Sequence, residues 1–267
     1  MAASKKNAKK LNPKLVKVLR RVQNSYYPKL EKSITKLLKT YAEEYRKALD
    51  AFEIKELSKS EMNRLYKRLG EINKRLARYE VVGKVPLGDP LMQSAVETGK
   101  ALGLDFDMAN PEVIKFIRNY QFKFAKKIGD TSVKKVKTII KKGEKEGWMV
   151  NLVREALEQE FYGWNTIRAE IVARTEIIRS TNRGARFSYE EVGGSSVWIT
   201  TEDERLCLFC NSMDNKVVKK NESYFKEGDI QTIAAEDGSI FKLNHGYEDV
   251  DSPPLHPRCR CSLGIKF

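Results

Sequence analysis

At 267 residues, with 41% hydrophobic and 32% charged positions, the chain has enough apolar content for a packed core, which excludes wholesale disorder. No apolar run approaches the ~18 residues that a membrane span needs, so no membrane partner is expected. The formal charge of +14 is carried unevenly: residues 1–150 hold 35 Lys and Arg against 17 Asp and Glu, and residues 151–267 hold 15 against 19. A basic half joined to a slightly acidic half predicts two roles, with the basic half facing something anionic.

Residues 1–10 read as a flexible basic arm. They lack the apolar core of a secretory leader, which points to a reducing compartment. Leu11, Leu15, Val18, Leu19, Val22 and Tyr26 then recur at helical spacing, and Pro28 is expected to interrupt the helix. Leu30, Ile34, Leu37, Leu38, Tyr41, Tyr45, Leu49 and Phe52 continue the stripe. A third helix opens on the capping box Ser58-x-x-Glu61 and buries Met62, Leu65, Leu69, Ile72, Leu76 and Tyr79. Such helices pack most simply as a bundle or hairpin, with Tyr41, Tyr45 and Tyr66 in its core or groove.

The glycines and prolines from Gly83 to Pro90 mark a loop, followed by a short helix over roughly 90–102. Asn110-Pro111-Glu112 is a helix start, with a cap, a proline in the first turn and an acid near the positive end. Val113, Ile117, Tyr120, Phe124 and Ile128 mark its buried side. Thr131 to Lys145 reads as a separate helix with Val133, Val136, Ile139 and Ile140 inward. Lys134, Lys137, Lys141 and Lys145 share one of its faces. That face is either simply solvated or neutralises the phosphates of double-stranded DNA, without reading sequence. After Gly147-Trp148 come a helix with Met149, Leu152, Val153, Ala156, Leu157 and Phe161 on its apolar side, and another lined by Trp164, Ile167, Ile171, Thr175 and Ile178.

Beyond Gly193-Gly194 the period changes to that of strands: residues 197–201, 215–218 and 240–243, with residues 255–267 closing the sheet. All four cysteines lie here, as Cys207-Leu208-Phe209-Cys210 and in Pro253-Pro254-Leu255-His256-Pro257-Arg258-Cys259-Arg260-Cys261. C-x-x-C is a zinc half-site, and Cys207, Cys210, His256, Cys259 and Cys261 offer five ligands for four positions, leaving one of the last two cysteines in excess. The competing readings are disulfides, buried thiols on one face of a terminal strand, and a catalytic Cys–His pair lacking an evident third group.

Ala173-Arg174-Thr175-Glu176, Asn182, Trp198, Asp203, the C-x-x-C and the final Pro-Pro-Leu-His-Pro-x-Cys-x-Cys occur in this order. Over roughly residues 110–267 the chain thereby resembles the phage Mu protein F-like head morphogenesis family of minor capsid proteins. The resemblance implies a non-enzymatic protein of the procapsid and virion interior, made in the host cytoplasm. It also implies association with the portal protein and other procapsid proteins, and a role around DNA packaging or ejection. Arg174, Glu176 and Asn182 are expected to tie their helix to the module that follows rather than to catalyse. The alternative is a zinc-dependent nuclease or hydrolase. The expected fold is mainly α: a basic helical region over 1–110, then a 111–267 module with helices to about residue 190 and a small β region over 195–267, stabilised by Zn2+.

Overall fold

The computed structural model describes residues 5–51, 59–76, 84–107, 109–148, 150–201, 203–235 and 237–267. It is mainly helical, 64% helix, with a small C-terminal module of antiparallel strands. The helices are α1 (Lys5–Asp50), α2 (Lys59–Leu76), α3 (Gly88–Ala101), α4 (Pro111–Glu146), α5 (Val150–Gly163), α6 (Ala169–Glu191) and the single turn α7 (Leu208–Asn211). The strands are β1 (Ser195–Ile199), β2 (Val217–Val218), β3 (Ile230–Ala234), β4 (Ile240–Asn244) and β5 (Ser262–Lys266). Phe52, Ser58 of the expected capping box, Tyr79, Gly83 and Met149 lie outside the described residues.

Contacts group the chain into two units, each drawn from separated segments. Unit 1 holds Met1–Pro28, Leu87–Val113 and Ala173–Phe267, and unit 2 holds Lys29–Pro86 and Ile114–Val172. The division at residue 110 in the sequence follows the extent of the motifs, whereas this grouping follows packing.

Three helices depart from the expected boundaries. Helix α1 begins at Lys5, within the stretch read as a flexible arm, and runs 46 residues through Pro28. A proline inside a helix costs one hydrogen bond and a ring clash. Here Leu15, Leu19 and Val22 before it and Leu30, Ile34 and Leu38 after it are all buried, so burial on both sides holds the helix through the proline. Helix α4 is continuous over 36 residues where two helices were expected. Gly129 does not break it. A Cβ there would lie 1.5 Å from Asn73 Oδ1, so the glycine lets α2 approach α4. Trp164–Arg168 is a π-helical turn between α5 and α6. Its extra residue shifts the register, so Trp164 is fully buried while Ile167, expected on the same stripe, is exposed.

Unit 2 buries Tyr41, Tyr45, Leu65, Leu69, Phe124, Phe161 and Trp164. Ring contacts link Tyr41 to Tyr45 at 5.8 Å, Tyr45 to Trp164 at 6.0 Å and Phe161 to Trp164 at 5.0 Å. Tyr66 lies beneath the Lys137 ammonium. In unit 1, Leu15 and Leu19 of α1, Ala185 and Tyr189 of α6, and Leu263 and Ile265 of β5 form one apolar cluster. The sheet order is β2-β1-β5, all antiparallel, with Val197 opposite Gly264 and Trp198 opposite Leu263. β3 and β4 form a separate hairpin. The terminal strand is shorter than expected, because residues 251–258 are bends and turns and only Ser262–Lys266 pairs.

Candidate metal centre

β5 is an edge strand, and its outer backbone groups need partners. Two asparagines supply them. Asn12 of α1 donates through Nδ2 to the Ile265 carbonyl at 3.2 Å and accepts from the Ile265 N–H at 2.9 Å. Asn182 of α6 accepts from the Leu263 N–H at 2.7 Å and donates to the Cys261 carbonyl at 3.5 Å. The Tyr189 hydroxyl donates to the Leu263 carbonyl at 3.1 Å. Farther along α6, Arg186 is buried and donates to the carbonyls of Asp251, Lys219 and Glu222 and to the Glu190 carboxylate. One guanidinium thus ties three loop carbonyls to the helix. The segment bearing Cys259 and Cys261 is fixed between these supports.

The first pair of thiols is set by α7. Cys207 is its N-cap, and its sulfur accepts from the Cys210 N–H at 3.3 Å. The second group is set by a tight turn in which the Cys259 N–H donates to the His256 carbonyl and Arg258 takes a φ of 63°. A left-handed backbone is uncommon for a long side chain, and here it closes the turn that carries His256 and Cys259.

His256 Nε2 lies 3.1 Å from Cys207 Sγ and 3.2 Å from Cys210 Sγ, and Cys210 Sγ lies 3.7 Å from Cys259 Sγ. Cys207, Cys210 and His256 form one triad of potential ligand atoms within 4.8 Å of one another, and Cys210, Cys259 and Cys261 form a second. Cys210 belongs to both. Two thiolates on one tetrahedral ion with ~2.3 Å bonds stand ~3.8 Å apart, which matches the Cys210–Cys259 separation. His256 Nδ1 is 2.7 Å from the Pro257 carbonyl, so it carries the proton and Nε2 is left with its lone pair toward the thiols. These residues could hold a metal ion. The cavity among them is about 20 Å³, room for one ion or a water.

The charge distribution agrees. Hydrogen bonds from Cys210 and Cys261 hold the Cys259 thiol well below its ordinary range, while the bond to Cys259 pushes Cys210 up. Cys261 is pushed up to about 12: Cys210 draws it down, but Cys259 and burial outweigh that. All four cysteines are free, so the disulfide reading fails. No family model, curated protein or solved structure was found to match the chain.

The remaining sequence candidates fall in different places. Asp203 is held by both terminal nitrogens of Arg260, whose guanidinium keeps the carboxyl below its usual range. Glu176 pairs with Arg179 at 3.4 Å, and Arg179 continues to Glu248 at 2.5 Å. Arg174 instead lies over the Tyr27 ring of α1. His245, the second histidine, is outside both thiol triads. It is buried, stacked on Phe225 at 4.2 Å, and burial lowers its pKa. Of the four lysines on the α4 face, Lys134, Lys137 and Lys141 line a groove in unit 2, and Lys145 is exposed and not among its lining residues. Sequence reasoning missed Asn12, Arg186 and the Asp203–Arg260 pair.

Proposed function

We propose that this protein is a minor capsid component acting in phage head morphogenesis, inside the procapsid and in contact with the portal protein, and that its C-terminal module is stabilised by one zinc ion. The observation that carries this reading is a contact between two parts of the motif, Asn182 and the final thiol-bearing run. Helix α6, which bears Ala173-Arg174-Thr175-Glu176 and Asn182, hydrogen-bonds through Asn182 to the Cys261 carbonyl and the Leu263 N–H, beside the Pro-Pro-Leu-His-Pro-x-Cys-x-Cys run. A helix and a thiol-bearing segment that depend on each other form one scaffold, which suits an assembly part.

Zinc is favoured by the donor set, thiolates with one imidazole at tetrahedral spacing. We assign Cys207, Cys210, His256 and Cys259 as the four ligands: Cys210 joins the two triads, and Cys259 is chosen from the final pair for its 3.7 Å approach to Cys210, although Cys261 lies in the same triad. Cys261 is the one in excess, with its carbonyl given to Asn182. Four protein ligands leave no open coordination position for hydrolysis, and Asp203, the carboxylate that a hydrolase reading would use as base, is occupied by Arg260.

Two experiments test these statements. In infected cells the protein should copurify with portal-containing procapsids, and its absence from them would remove the head-assembly reading. In the purified protein Cys259→Ser should lose the metal while Cys261→Ser keeps it, and the reverse pattern would reassign the ligands.

A further inference from the structure

A second feature lies in unit 2, away from the thiols. Between α2 and α4 runs a groove of about 1050 Å³. Its walls carry Lys74 and Arg75 from α2 and Lys126, Lys134, Lys137 and Lys141 from α4, opposed by the single carboxylate of Asp130. Asp130 accepts from Asn73 Nδ2 at 2.9 Å. Arg75 is paired with Glu44, and Lys137 lies over the Tyr66 ring. Lys74, Lys126, Lys134 and Lys141 are exposed and have no ion-pair partner among the described residues.

Two further residues give the groove a character beyond charge. Phe122 is 55% exposed on its lining, an apolar ring left open to solvent. Gly70 lies inside α2, where glycine is unfavourable relative to alanine, yet a Cβ there would meet nothing within 4 Å. Packing does not call for this glycine, and its effect is to keep the α2 wall of the groove smooth.

We propose that this groove binds single-stranded nucleic acid, independently of the metal centre and of the head-assembly reading. The backbone phosphates lie between the lysines of the two walls, and a base stacks on Phe122. A strand with unpaired bases presents both a phosphate line and open π faces, the combination that non-specific single-strand sites use. A duplex keeps its base faces stacked on one another and has none to give Phe122. An acidic polypeptide would satisfy the lysines but not the ring. The lysine spacing on α4 alone suggested a duplex; the concave groove with cations on both walls and an exposed ring favours one strand.

The test is fluorescence anisotropy of a labelled oligothymidine of about 12 nucleotides, a duplex of equal length and the full-length protein over a salt series. The oligothymidine should bind more tightly than the duplex. Changing Lys74, Lys126, Lys134 and Lys141 together to Gln should flatten the slope of log affinity against log salt by about 3, since each single-strand phosphate contact contributes about 0.7. Changing Lys14, Lys17, Lys36 and Lys39, exposed lysines outside the groove, should leave the slope nearly unchanged. Phe122→Ala should weaken binding by about 5- to 150-fold. Gly70→Leu should block the groove without lowering thermal stability, because the site has room and leucine is the better helix former. Equal or tighter duplex binding, equal flattening by the four control lysines, or unchanged affinity in Phe122→Ala would each overturn the proposal.

Discussion

Unit 2 keeps most of its charges at the surface and fills its interior with rings, Arg168, which donates to buried Ser132, being an exception. Arg46 meets Glu158 at 2.6 Å and Lys135 meets Glu160 at 2.5 Å on the surface, while Tyr41, Tyr45, Phe161 and Trp164 fill the interior. Unit 1 does the opposite at its centre: Arg186 is 2% exposed, Glu176 4% and Asn182 0%. Long helices have wide apolar faces, so a stripe of large side chains suffices. A three-stranded sheet with one two-residue strand offers little apolar area. Such a module depends on polar ties and, by our reading, on a metal. The two units should therefore fail in different ways, unit 1 when one polar or thiol group is deleted and unit 2 when volume is changed.

The largest effect is expected for Cys210→Ser, because Cys210 belongs to both ligand triads. It should remove bound metal and more than about 5 kcal/mol of the module's stability, a fraction of the ~10–16 kcal/mol that a structural zinc site contributes. Metal analysis and hydrogen exchange of β1 and β5 would register it, and full retention of metal would contradict the ligand assignment. Arg186→Met should cost about 3–5 kcal/mol, since it leaves three loop carbonyls and the Glu190 carboxylate without their buried cation. Chemical denaturation measures this, and a loss below about 1 kcal/mol would show that water replaces the guanidinium.

In unit 2 the matching perturbation is steric. Gly129→Ala sets a methyl against Asn73 and should cost about 1–3 kcal/mol, with little change in metal content. Asn182→Ala orphans the buried Leu263 N–H and should cost about 1–3 kcal/mol, with weakened exchange protection at β5. His245 gives a smaller, pH-dependent effect. Its pKa is lowered in the folded state, so the unfolded chain binds the proton first and stability should fall as the pH drops below about 6.5. His245→Gln should remove part of that acid slope in denaturation midpoints. The smallest effect is Arg46→Ala. Its surface pair with Glu158 should be worth about 0.2–1 kcal/mol and vanish in high salt.

The helical stripes were legible because periodic burial is a local property: Leu30, Ile34, Leu38, Tyr41 and Tyr45 were read at 3.6-residue spacing and all are buried. The five candidate ligands were legible because thiols and a histidine were clustered in sequence and lie together in space. What could not be read needs two distant positions at once. Pro28 and Gly129 carry breaker signals locally, and only the flanking core and Asn73 explain why the helices continue. Asn12 meets Ile265 across 253 positions, and no local pattern marks an asparagine that caps a strand so far away. Strand β3 was missed although Ile230 and Ile233 follow the Gly228-Asp229 turn, because two isoleucines with polar residues between them make a weak alternation.

The central claim is that a metal ion on Cys207, Cys210, His256 and Cys259 holds the C-terminal module together. Hydrogen exchange of the full-length protein, followed by mass spectrometry before and after chelation, tests it most directly. Protein purified without chelator should carry about one equivalent of zinc. Its removal should release protection at residues 207–211 and 255–265 while leaving the Tyr41–Trp164 core of unit 2 unchanged. Protein that carries no metal, or that loses it with no change in exchange at those residues, would contradict the account.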